Sequence, residues 1–314
     1  MNPKEDLDQN KISVPRRTLI KSAGLGIGAG LVSQLLPASA AEQAGKAELW
    51  SAEYTAKKGD VSLQMYRKRI GAPKPGEVPL PILFLVHGSS ISSLPTFDLK
   101  VPGHGEYSMM DVFARYGFDV WTMDHENYGR SSRTSGNSNI ASGVEDLKAG
   151  AEVVLHETGQ QKMHMFGESS GALRVGGFAA QKPERVERLV LAAHTYKGEG
   201  SPTLTKRAEA LDYYRTHNMR LRDRAMISSI FTRDKAGTSE LAVADALADA
   251  ELVHGNQAPT GTYLDMTANL PVVDPKKILA PVLVVRGEYD GIATIDDLID
   301  FYRQLPNGDR QFVI

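Results

Sequence analysis

Apolar and polar residues alternate in AELWSAEYTA (47 to 56) and again in VSLQMYRKRI (61 to 70), and a period of two predicts strands with one covered face. Lys58-Gly59-Asp60 between them predicts a hairpin. After the proline-rich connector APKPGEVPLP the pattern changes: PILFLVHG (81 to 88) is an unbroken apolar run of strand length, as expected of a strand buried on both faces of a parallel sheet. EYSMMDVFARYG (106 to 117) predicts a helix stopped by Gly117, and FDVWTMD (118 to 124) the next strand. ASGVEDLKAGAEVVLHETG (141 to 159) predicts a helix, KMHMFGE (162 to 168) a strand, SSGALRVGGFAAQ (169 to 181) a helix ended by Pro183, and VERLVLAAH (186 to 194) a strand.

Strands and helices alternating over short connections predict an α/β fold, a mostly parallel sheet with helices on both faces. From Tyr196 to about Lys277 the alternation stops. LTKRAEALDYYRTH, RLRDRAMISSIF and SELAVADALADAELVH space their apolar residues as helices do, which predicts a helical cap inserted at about 196 to 277. The sheet resumes with APVLVVRG (280 to 287), followed by the helix IDDLIDFYRQL (295 to 305) and a strand beginning at DRQFVI (309 to 314).

The 314 residues carry 41% hydrophobic and 24% charged side chains, an ordinary globular mixture with a formal charge of -2. That charge is +2 over the first 40 residues and -4 over the rest, so nothing predicts a nucleic-acid partner. The chain has no cysteine, which excludes disulfides, thiolate catalysis and thiolate metal sites. VPRRTLIK (14 to 21) sets paired arginines ahead of a weakly apolar, glycine-rich run, and Ala38-Ser39-Ala40 offers a cleavage site. This stretch resembles a twin-arginine (Tat) signal of the form S-R-R-x-F-L-K, with Pro15 at the serine, Leu19 at the phenylalanine and Ile20 at the leucine position. The resemblance implies handling by the Tat export machinery, cleavage after Ala40, a mature domain from residue 41, and a periplasmic or secreted protein.

The chemistry concentrates at MFGESSGALR (165 to 174), where Gly167-Glu168-Ser169-Ser170-Gly171 reads G-x-S-x-G. The pattern alone is common by chance. Its setting is not: an apolar strand runs directly into it and a helix directly out, the context of a strained turn that exposes a nucleophilic serine.

With these motifs the chain resembles the α/β-hydrolase superfamily over essentially its whole mature length. His87-Gly88 at a strand end matches the family's HG turn, which implies that the backbone N–H of Ser89 is one half of an oxyanion hole and that of Ser170 the other half. DHENYGRSS (124 to 132) resembles the family's D-x-x-G-x-G-x-S loop, with the first glycine missing, and is expected to be structural. Pro183-Glu184-Arg185-Val186 is a further family pattern. RGEYDGIA after the strand VLVV places Asp290 at the position of the triad carboxylate, with Glu288 as competitor.

The same resemblance orders the triad as Ser, Asp, His, yet none of the eight histidines follows Asp290. His87 belongs to the oxyanion turn, His164 to a strand and His156 to a surface helix. His104, His125, His194, His217 and His254 could border the pocket, in substrate binding rather than as general base. The base is therefore expected a few residues beyond Ile314, in a chain truncated at its C-terminal end.

The implied activity is hydrolysis of a small-molecule carboxylic ester through an acyl-enzyme on Ser169, with Asp290 orienting the histidine and no cofactor or metal. A halide- or epoxide-opening relative would carry aspartate at the elbow, and no H-E-x-x-H is present to bind zinc. A C–C bond or β-diketone hydrolase could use the same triad. A chain truly ending at Ile314 would instead suit a non-catalytic ligand-binding homologue. Tyr213, Tyr214, Met219, Met226, Ile230 and Phe231 could form an apolar pocket or ordinary helix-packing core.

Overall fold

A computed structural model describes residues 48–314; the twin-arginine stretch and the expected cleavage after Ala40 lie outside the described residues. The opening hairpin forms as the alternation predicts. Strand β1 (Leu49–Lys58) pairs antiparallel with β2 (Val61–Ile70), in register from Leu49 opposite Ile70 to Lys58 opposite Val61. β2 then lies antiparallel to β4 (Asp119–Met123), and this edge adjoins six parallel strands. The complete order is β1-β2-β4-β3-β5-β6-β9-β10, where β3 is Ile82–Val86, β5 Met163–Glu168, β6 Val186–Ala192, β9 Val282–Val285 and β10 Arg310–Val313.

β3 shows why the apolar run is unbroken. Successive side chains point to opposite faces of the sheet, and both faces are covered. Ile82, Phe84 and Val86 enter one core with residues of α3 (Ile140–Thr158) and α4 (Ser170–Gln181). Leu83 and Leu85 enter a second core with Phe97 of α1 (Ser93–Phe97) and Met110 and Ala114 of α2 (Met109–Arg115).

Helix boundaries follow their caps. The helix expected from Glu106 begins only at Met109, because the Ser108 hydroxyl accepts the Asp111 N–H at 2.9 Å and fixes the first turn there. α3 starts after Asn139, whose side chain accepts the Ser142 N–H, and stops at Gly159. None of the described helices is long and apolar enough to cross a membrane.

Between β6 and β9 the expectation of helices alone is corrected. LTKRAEALDYYRTH divides into α5 (Pro202–Ala208) and α6 (Leu211–Thr216). The start of RLRDRAMISSIF is not helical: β7 (Met219–Leu221) pairs antiparallel with β8 (Gln257–Pro259). Helix α7 (Arg224–Thr232) begins after the Asp223 carboxylate accepts the Met226 N–H, and α8 (Leu241–Leu252) packs beside it. Ile227, Val243 and Leu247 of these helices share a third core with Ile91, Leu99 and Val101 from the segment after β3, and Met226, Ile230 and Phe231 pack against it. Those three side chains therefore follow the helix-packing reading. A short α9 (Gly261–Leu264) leads back towards β9, and α10 (Ile295–Gln304) precedes β10.

Candidate active site

Register brings the ends of the parallel strands level. Val86 of β3 stands opposite Gly167 of β5, Glu168 opposite Ala192 of β6, and Ala192 opposite Val285 of β9. The loops carrying Ser89, Ser169, His194 and Asp290 consequently leave the same edge, the carboxyl edge where parallel α/β sheets bind ligands. Two surface hollows of about 460 and 480 Å³ lie at the opposite edge, among residues such as Lys162, Glu187 and Pro281, and among Pro81, Ile82 and His164.

Ser169 has φ 53° and ψ −120°, a conformation that L-residues rarely adopt. Its N–H donates to the Ala192 carbonyl at 2.8 Å, which ties the turn to the neighbouring strand. The two flanking glycines are required by close approach. A Cβ on Gly167 would stand 2.4 Å from the Gly171 carbonyl oxygen, and one on Gly171 would stand 2.3 Å from that of Val86. Ser170, buried, opens α4, so its N–H has no acceptor within the helix.

The HG turn meets the elbow directly. A Cβ built on Gly88 would lie 3.4 Å from Cβ of Ser169 and 3.3 Å from Oε1 of Glu168. Burial pushes the Glu168 carboxyl up to about 7, against the opposing hydrogen bond of the Gly88 backbone. His87 is fully buried; its Nδ1 lies 2.8 Å from the Gly88 carbonyl and its Nε2 accepts the His125 N–H. Burial, with the adjacent His125 and Arg174, holds it well below the ordinary histidine value, so it is a neutral spacer in the turn.

Asp290 lies on the turn after β9, partly buried. Its Oδ1 accepts the Ile292 N–H at 2.8 Å, and its carbonyl accepts from Arg286. Burial raises its carboxyl above the usual range, helped by the nearby Asp234. Glu288, its competitor in the sequence, is exposed. Among the described residues no histidine is hydrogen-bonded to Asp290 or to Ser169; the rings that meet carboxylates are His104 with Glu240, His156 with Glu157, and His125 with Asp146.

The remaining histidines are exposed, half-buried in the case of His254, or sealed. His104 and His217 are surface residues, the latter stacked on Tyr213 at 4.1 Å, and the carbonyl of His254 accepts from Arg133. His125 and His194 do not border an open pocket: both are completely buried, and burial lowers them to about 4 and about 3. His125 faces Asp146 at 3.0 Å, a pair that sequence reasoning missed because the partners lie on a loop and a helix 21 residues apart. Asp124 is structural, as its loop predicted: one carboxylate oxygen accepts from the Ser93 N–H and hydroxyl, the other from Arg130 N–H and the Tyr66 hydroxyl.

Residues 103–314 match the family model described as serine aminopeptidase, S33. No curated protein matches the sequence. Solved structures do. A hydrolase from Pseudomonas aeruginosa PA01 is 19% identical with a TM-score of 0.58, over 83% of this chain and 89% of that one. The enol-lactonase from Burkholderia xenovorans LB400 is 19% identical with a TM-score of 0.57, over 83% and 90%. The 2-hydroxy-6-oxo-6-phenylhexa-2,4-dienoate hydrolase from Rhodococcus sp. strain RHA1 is 17% identical with a TM-score of 0.56, over 85% and 90%. Such identities speak for the fold, a mostly parallel sheet clad by helices as in α/β hydrolases. With the family model spanning the Ser169 elbow, the segment between β6 and β9, and the turn after β9, the chain belongs to the serine aminopeptidase S33 family of hydrolases.

Proposed function

We propose that this hydrolase cleaves carboxylic esters through an acyl-enzyme formed on Ser169. The observation that carries the reading is the backbone of Ser169, held at positive φ on a strand-to-helix turn whose flanking glycines leave no room for a Cβ. Strain of this kind persists where the surroundings over-determine it, and here it sets the serine at the carboxyl edge of the sheet. Ser169 Oγ attacks the ester carbonyl, and the Ser89 and Ser170 N–H groups stabilise the oxyanion. Asp290 orients the histidine that takes the proton. Water then releases the acyl group.

The test is labelling with a fluorophosphonate followed by mass analysis. The intact protein is expected to gain one adduct on Ser169, and Ser169→Ala none. Equal labelling of the two would overturn the assignment. A diketone assayed beside short and long acyl esters separates ester hydrolysis from C–C bond cleavage, for which the same triad would serve.

The reading includes export through the Tat pathway to the periplasm or beyond, supported by the arginine pair and the Ala38-Ser39-Ala40 site. Arg16→Lys with Arg17→Lys is expected to leave the protein in the cytoplasm. Unchanged export of that variant would refute it.

A further inference from the structure

The segment between β6 and β9 brings two cations to one tyrosine. The guanidinium carbons of Arg207 on α5 and Arg220 on β7 stand over the ring of Tyr263, 4.1 and 4.0 Å from its centroid. Neither arginine has a carboxylate within 4.0 Å among the described residues. Their neighbours differ. Arg222, two residues along, is paired with the buried Glu251, and Arg233 is held by Asp234 through bonds of 3.0 and 3.1 Å.

Arg220 is 7% exposed, its Nε has no hydrogen-bond partner, and neither has the buried Nη1 of Arg207. Buried guanidinium donors without an acceptor are costly, and two like charges sharing one ring add repulsion; the aromatic face compensates only in part. The surroundings register this positive field. Although burial opposes it, Arg207, Arg220 and Arg233 pull the Tyr263 hydroxyl down to about 8.

The pair is fastened to both halves of the candidate active site. Arg220 donates to the Ser89 carbonyl at 3.2 Å and to Ser90 Oγ at 2.9 Å, and the Tyr263 hydroxyl meets the same Oγ at 3.3 Å. α5, which carries Arg207, is anchored at its other end to the acid turn: Ser201 Oγ and the Thr203 N–H both reach the Gly291 carbonyl. Arg220 thus adjoins the loop of the proposed oxyanion donor, hydrogen-bonded to the carbonyl of the residue whose N–H is assigned to the oxyanion, and Arg207 reaches the same place through the Tyr263 ring that both cations cover.

We propose that Arg207 and Arg220 bind a carboxylate of the substrate, so that the ester cleaved is an anion with its carboxylate a few atoms from the scissile carbonyl. This rests on Ser169 as the nucleophile. The planar guanidinium fork matches a carboxylate in two-point contact, and an anion there supplies acceptors for Arg220 Nε and Arg207 Nη1.

The experiment compares kcat/KM for 4-nitrophenyl hemiglutarate and 4-nitrophenyl butyrate in the intact protein, Arg207→Gln, Arg220→Gln and Arg207→Lys. The intact protein is expected to prefer the hemiglutarate, and either glutamine variant to lose at least about 10-fold of that preference. Arg207→Lys keeps the charge and part of the preference. Thermal midpoints and fluorophosphonate labelling of Ser169 verify that each variant is folded. An identical preference in the intact protein and both folded glutamine variants overturns the proposal. Calorimetric titration with glutarate and with inorganic phosphate reads the site without turnover. Glutarate binding that disappears in Arg207→Gln supports the site even if neither ester is hydrolysed, a result that would instead refute Ser169 chemistry. Tighter binding of phosphate than of glutarate, or binding of neither, overturns the carboxylate assignment.

Discussion

Gly171 is packed against the end of β3, where a Cβ would stand 2.3 Å from the Val86 carbonyl oxygen and 2.7 Å from that of His87. Backbone on both sides leaves no flexible atom to give way. Gly171→Ala is expected to destabilise the protein by about 3 kcal/mol or more, measured by chemical denaturation. Gly308, with no atom within 4 Å of an added Cβ, is the comparison: Gly308→Ala should stay within about 0.5 kcal/mol. Equal effects at the two sites would show that the elbow is looser than its geometry implies.

The strands of the sheet were readable because burial on two faces leaves continuous apolar runs, as in β3, and the elbow because its glycines stand two residues either side of the serine. β7 was not, since three residues cannot display a period, and Arg220 and Leu221 fit a helical pattern equally well. The start of α2 moved because Ser108, rather than the preceding apolar residue, decides where helical hydrogen bonding begins. Arg207, Arg220 and Tyr263 come from three elements, and no local spacing announces that they meet. The hydrogen bond from the Ile292 N–H to Asp290 depends on the folded loop, and no spacing announces it.

Glu168, beside Ser169, is raised from 4.5 to about 7 by burial. The native state therefore holds a proton that the unfolded chain has already released between those values. The stabilisation from this group is complete below about pH 4.5 and is lost as pH rises through about 7. Glu168→Gln, which mimics the neutral acid, is expected to match the intact protein in thermal midpoint at pH 5 and to exceed it at pH 8. Parallel midpoint curves for the two proteins would mean that the carboxyl is ionised in the fold.

The Arg222–Glu251 pair tests how the segment between β6 and β9 is held to the loop after β3. Arg222 is 1% and Glu251 0% exposed. Burial drives both towards their neutral forms, the carboxyl upward and the guanidinium downward, and their mutual attraction opposes it. Glu251 also accepts the N–H and hydroxyl of Ser92 at 2.8 and 2.6 Å, and Arg222 donates to the carbonyls of Ser90 and Gly255. Glu251→Gln keeps an acceptor for Ser92 but strands a buried cation, so a loss of about 3 kcal/mol is expected. Arg222→Met alone strands the carboxylate and should cost a similar amount. The double variant removes both charges while retaining the Ser92 contact, so its loss should be well below the sum of the two, a coupling of at least about 2 kcal/mol in the double-mutant cycle. Additive losses would show that the two charges do not depend on each other, and that hydrogen bonds to Ser92 and the backbone carbonyls, rather than the ion pair, fasten this segment down.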